Sequence, residues 1–175
     1  MDPFFIRLES TAFSMWLRDA PTLLAFPTVL IAHTIGMGIL AGVCGMVAMR
    51  LLGVAPAIPV TELRRFFPVL WFGLALNAVS GILLLVAYPT KALTNPLFYL
   101  KLALIAAGLA MLKPIRRRVW RDGPLAAGAP APAAEPDDVS PALRRWAAAS
   151  IACWIAAITA GRLLAYTYSR LTAIP

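Results

Sequence analysis

Residues 26–50, FPTVLIAHTIGMGILAGVCGMVAMR, form an apolar run with no charge before Arg50. At ~1.5 Å per residue a helix of this length exceeds the ~30 Å of bilayer hydrocarbon. In lipid the backbone must satisfy its own hydrogen bonds, so such a run folds as a spanning helix. The run also holds the single histidine, His33, and glycines at 36, 38, 42 and 45. His33 falls roughly 10–15 Å inside the helix, where a titratable ring is by default a candidate functional group.

The rest of the chain agrees. With 61% apolar residues and a mean hydropathy of +0.78, it is far from a soluble composition. Its 175 residues suit one membrane domain, 1–175, folded as an all-α integral membrane bundle. The formal charge is +8, but the basic residues gather at predicted helix ends. They act there as orientation signals and lipid contacts, and no nucleic-acid surface is expected. Cys44 and Cys153 lie in apolar segments without CxxC spacing, so they behave as small hydrophobes. A cleavable signal peptide is not expected, because no basic region leads directly into an apolar run and a small-residue cleavage site.

Residues 3–18 mix Phe4, Phe5, Phe13 and Trp16 with Arg7, Glu9 and Arg18. They are too polar to span, and the pattern predicts one amphipathic helix in the membrane interface. Asp2-Pro3 supplies its cap and first turn. Four transmembrane helices are predicted at 23–52, 61–88, 96–113 and 141–168. In the first, Thr34, Gly38, Ala41, Gly42 and Gly45 share a face, and Gly38/Gly42 form a GxxxG pair that admits another backbone. His33 lies roughly 130° from that face, so helix packing and the histidine are expected on different sides. Thr61 caps the second helix, and Asn77 faces the bundle among Gly73, Ser80 and Gly81. YPTKALTNP is a tight loop, and Asn95-Pro96 starts the third helix. Lys101 opposes its alanine face and is expected to snorkel to the interface. RRRVWR (116–121) ends that helix, the Pro/Ala/Gly-rich segment 122–140 is a flexible cytoplasmic linker, and Ser140-Pro141 caps the fourth. With an external N-terminus, ten of the sixteen Lys and Arg fall on the inner side. This predicts both termini in the periplasm of a bacterial inner membrane.

No carboxylate lies deep in a span, so neither a proton-carrying acid chain nor a Ser-His-Asp site can be assembled. No catalytic residue is assigned, and the chain is not expected to be an enzyme on its own. A basic constellation remains near the outer leaflet: His33, Arg162 one turn before Tyr166, Lys101 and Lys91, with Asn77 as interhelical glue or a ligand contact. An unpaired guanidinium such as Arg162 calls for a carbonyl, a lipid phosphate or a bound anion. One reading joins these residues around a b-type haem, with His33 on the iron, glycines beside the macrocycle and cations on the propionates. The sixth position would need Met46, Met111, a second copy's His33 or no ligand. The other reading has His33 hydrogen-bonded in the core to Asn77, Ser80 or a carbonyl.

The runs AFPTVLIAHTIGMGIL, RRFFPVLWFGLALNAVSGILLLVAYPTKALTNPLFYLKL and AITAGRLLAY resemble an uncharacterised family of small bacterial four-helix inner-membrane proteins. The resemblance covers most of the chain except the linker. It implies an architecture and no activity. A looser likeness, resting on a histidine in a glycine-rich span, is to four-helix cytochrome b and copper-resistance membrane domains. Two functional classes therefore stand. One is a haem b- or quinone-linked electron-transfer or membrane-anchor subunit using His33. The other is a non-catalytic membrane subunit that binds lipid, a partner membrane subunit or a second copy of itself. A small transporter is a third, without a broken helix pair to support it.

Overall fold

The computed structural model describes residues 3–121 and 139–171. They are helical, with no strand among them. In order come α1 (Pro3–Glu9), α2 (Ala12–Asp19), α3 (Phe26–Leu51), a 3₁₀ segment (Val60–Phe66), α4 (Phe67–Ala87), α5 (Pro89–Leu93), α6 (Pro96–Arg121) and α7 (Pro141–Leu171). Four stretches, in α3, in the 3₁₀ segment with α4, in α6 and in α7, are long and apolar enough to cross a membrane. The expected Asp2 cap and nearly all of the expected linker, 122–138, lie outside the described residues.

Each long helix buries one narrow stripe. On α3 it is Gly36, Leu40, Cys44, Val47 and Leu51. On α4 it is Phe67, Leu70, Gly73, Asn77 and Ser80. On α7 it is Leu143, Ala147, Ser150, Trp154 and Ala157. Steps of three and four residues keep one face inward along a 3.6-residue helix. The opposite faces carry exposed apolar side chains, among them Ile31, Phe72, Ile82 and Ile155. A helix apolar on both its packed and its exposed face is one covered by other protein or by a membrane. α3 packs against α4 and α7, and α6 packs against α7, while α4 and α6 are not packed closely on each other.

The close approaches differ from those expected. A Cβ on Gly38, Gly42 or Gly45 would meet nothing within 4 Å. The GxxxG face of α3 therefore points out of the bundle. The contact is made instead by Gly36, where a Cβ would come within 2.7 Å of the Asn77 amide nitrogen, and by Gly73, where one would strike Ile39 at 2.5 Å. Small residues permit a helix contact but do not compel one. The α3 stripe that carries bulky Leu40 and Val47 has more dispersion and burial to gain. His33 and helix packing consequently share a side.

The helix ends follow local chemistry. The interfacial segment is two helices rather than one. Thr11 caps α2 by accepting from the Ser14 amide at 3.3 Å, and its own hydroxyl donates to Leu8 O. The buried Ser14 hydroxyl donates to Val86 O at 2.9 Å, and Glu9 accepts from the Thr90 amide. These bonds pin α1 and α2 over the α4–α5 corner. That corner is a five-residue helix where a loop was expected. Thr61 is not the cap; Pro59 precedes the 3₁₀ segment. Asn95 caps α6 by accepting from the Leu97 amide at 2.9 Å, and Ser140 does the same for Leu143 on α7. α6 runs through Pro114 to Arg121. Proline removes one helix bond there, but arginine-rich turns favour helix, so the helix outlasts its apolar stretch. At the same end Arg50 is buried and donates to Pro56 O and Ile58 O. It holds the loop that turns at Gly53, whose φ is +101°.

The glycine geometry makes a direct contrast. Gly36→Ala should lower stability in detergent by about 1–3 kcal/mol, the usual cost of overpacking. Gly42→Leu should leave the thermal midpoint unchanged. Equal losses for both variants would mean that the α3 faces have been assigned the wrong way round.

Candidate functional site

His33 sits seven residues into α3, and the sequence brings three other helices to it. On α4, Asn77, Ser80 and Gly81 are spaced by three and four residues, so all face α3. On α6, Lys101 stands five residues from the helix start and reaches toward α3. On α7, Gly161 leaves room for it: a Cβ there would lie 3.5 Å from Lys101 Cε. Gly81 leaves room for the imidazole in the same way, with a Cβ meeting His33 Cε1 at 3.2 Å.

The hydrogen bonds fix the ring's tautomer. His33 Nδ1 is 3.2 Å from the backbone oxygen of Asn77 and 3.1 Å from Ser80 Oγ. A carbonyl oxygen can only accept, so Nδ1 carries the proton and donates. The Ser80 hydroxyl donates to Leu76 O at 2.6 Å, which leaves its lone pairs for His33. Asn77 completes the clasp, its amide Nδ2 donating to His33 O at 3.0 Å. On the other side of the ring, Lys101 Nζ is 3.0 Å from Nε2. An ammonium has only donors, so Nε2 accepts from it. Both ring nitrogens are thus held by protein groups, one from α4 and one from α6.

Lys101 therefore turns into the bundle and does not snorkel. Its half-buried nitrogen finds an acceptor in the imidazole. Of the residues singled out in the sequence, His33, Asn77, Ser80 and Lys101 come together. Arg162 and Tyr166 lie on the exposed side of α7. Arg162 directly follows Gly161, and one residue turns a side chain by about 100°, so Arg162 points away from Lys101. Gly81 and Gly161 complete the cluster. The signal for Gly81 was its spacing from Asn77. Nothing in the sequence pairs Gly161 with Lys101.

The chemistry available is that of a polar clasp between helices. The cluster contains no carboxylate, and among the described residues no three His, Cys, Asp or Glu side chains gather as a metal site. The space at Gly36 is filled by the Asn77 backbone, and that at Gly81 by the His33 ring itself. Comparison with family models, with curated proteins and with solved structures finds no match for this chain.

A double-mutant cycle tests the contact. His33→Leu, Lys101→Met and the pair should show a coupling of about 0.5–2 kcal/mol in detergent unfolding, the range of polar contacts between membrane helices. Whether each single change gains or loses stability does not matter to the cycle. Additive effects would mean that the 3.0 Å contact contributes nothing.

Proposed function

We propose that this chain is a non-catalytic multi-pass subunit of a bacterial inner membrane, with both termini in the periplasm. In this reading the His33 cluster is a structural lock, and the outward faces of the helices meet lipid and a partner membrane protein or a second copy of the chain. The observation that carries the proposal is the occupancy of both imidazole nitrogens by Asn77 O with Ser80 Oγ and by Lys101 Nζ. A ring so held offers no free nitrogen to a ligand. The four spanning-length helices support membrane residence. The clustering of Arg116, Arg117, Arg118 and Arg121 after the third of them supports the orientation. The resemblance to small four-helix inner-membrane proteins points the same way.

A second reading has one observation in its favour. A histidine that ligates a metal ordinarily donates its other ring N–H to a carbonyl or carboxylate, which aims the ligating nitrogen. Nδ1 of His33 does this toward Asn77 O. A haem- or quinone-linked subunit would then require Lys101 to leave Nε2 and serve the ligand. Arg162 would answer the anionic groups only from outside the cluster.

A reduced-minus-oxidised spectrum separates the two. Wild type expressed with ample haem, and Lys101→Ala beside it, should both be flat in the visible. A sharp haem band in either that disappears on His33→Ala would replace the lock with a cofactor site.

A further inference from the structure

A gap separates α4 and α6, which do not pack closely on each other. Over the half nearer the 3₁₀ segment it forms a cleft of about 620 Å³, within the ~300–1,000 Å³ of ligand-binding pockets. Phe67, Leu70 and Trp71 of α4 form one wall, and Ala106, Ala110 and Lys113 of α6 line the other. The alanines stand one turn apart and leave a channel along α6, opposite a Trp71 side chain that is half exposed.

The two ends of this channel are chemically unlike. At its mouth stands Lys113, an exposed cation. The 3₁₀ segment that carries Arg64 and Arg65 packs on α6, so the mouth lies at a basic end of the bundle. Toward the other end Lys101 crosses from α6 to His33 on α3, beside Asn77 and Ser80 of α4. From Lys113 to Ala106 the channel follows seven residues of helix, about 10 Å, and Lys101 stands five residues further along α6. Half of a ~30 Å hydrocarbon core is about 15 Å. The channel therefore stays within one leaflet. A partner helix crossing both leaflets would run past the lined channel, whereas a lipid chain entering from one surface would end within it.

We propose that this cleft binds an acidic phospholipid of the leaflet at the Lys113 end, with an acyl chain between Trp71 and the Ala106/Ala110 channel and the phosphate against Lys113. The inference rests on the membrane reading above and is independent of what His33 does. Apolar walls select an acyl chain, and the cation at the mouth selects the charge of the headgroup. One lysine beside an anionic headgroup is worth about fivefold in affinity.

Native mass spectrometry of the full chain tests this, using phosphatidylglycerol and phosphatidylcholine with matched acyl chains. Wild type should retain one phosphatidylglycerol in about fivefold preference. Lys113→Gln should abolish the preference while keeping the lipid. Ala110→Trp, which fills the channel, should lose both lipids. Equal retention of the two lipids by wild type would overturn the proposal, as would undiminished binding by Ala110→Trp. A lipid-free dimer that Ala110→Trp disrupts would also overturn it, by making the cleft an interface between copies. If Ala110→Trp does not fold, fluorescence decides. Phosphatidylglycerol with brominated acyl chains should quench a component of wild-type emission that Trp71→Phe lacks, and quenching identical in the two proteins would overturn the site. Wild type that enters lipid nanodiscs without preferring phosphatidylglycerol defeats the cleft alone. Failure to enter them at all defeats the membrane reading with it.

Discussion

One imidazole ring joins three helices of this bundle. His33 projects from α3, donates from Nδ1 to α4 and accepts at Nε2 from Lys101 of α6. In a nonpolar surround an unpartnered polar group costs several kcal/mol, so each member of the cluster depends on the others. The carbonyl of Asn77 sets the proton on Nδ1, and that choice leaves Nε2 as the acceptor that a lysine in the bundle needs. Gly81 is part of the same arrangement, because a side chain there would press on the ring, and Gly161 lies in contact range of the lysine stem. The bond to Lys101 also ties α6 to α3, while α4 and α6 do not pack closely on each other.

Around this clasp the architecture follows from burying narrow stripes. Where the packed and the exposed faces of a helix are both apolar, hydrophobicity by itself does little to choose between them. Close fit then decides. Gly36 against the Asn77 backbone, Gly73 against Ile39, and Gly108 beneath Trp154 bring pairs of helices within contact of each other. The wide apolar surface that remains, including Trp71, Phe72 and Ile155, is what a lipid-facing exterior requires.

Much of this was legible in the chain. Four long apolar runs, the Asn95 and Ser140 caps and the inward face of α4 all follow from periodicity and capping chemistry that operate within a helix. The partnership of His33 with Asn77 and Ser80 was one of the readings available, since α3 and α4 are neighbours in sequence. What could not be read lies between helices distant in the chain. Gly38 and Gly42 carry a packing motif, yet the bulkier stripe beside them won the interface. Lys101 had no visible acceptor until α3 and α7 were set beside it, so snorkelling was the natural expectation. The break between α1 and α2 was written in Ser10-Thr11, but its effect depends on Ser14 reaching Val86 O. Arg162, placed by depth alone among the site residues, is turned outward by the helical step that follows Gly161.

Because the chain contains a single histidine, the state of its ring can be read without assignment ambiguity. Nitrogen-15 NMR of histidine-labelled protein in micelles reports each ring nitrogen separately. The clasp predicts a protonated Nδ1 and an unprotonated, hydrogen-bonded Nε2 whose resonance shifts in Lys101→Met while Nδ1 keeps its proton. A proton on Nε2 with Nδ1 bare, or an Nε2 resonance indifferent to Lys101→Met, would contradict the arrangement on which the bundle is built.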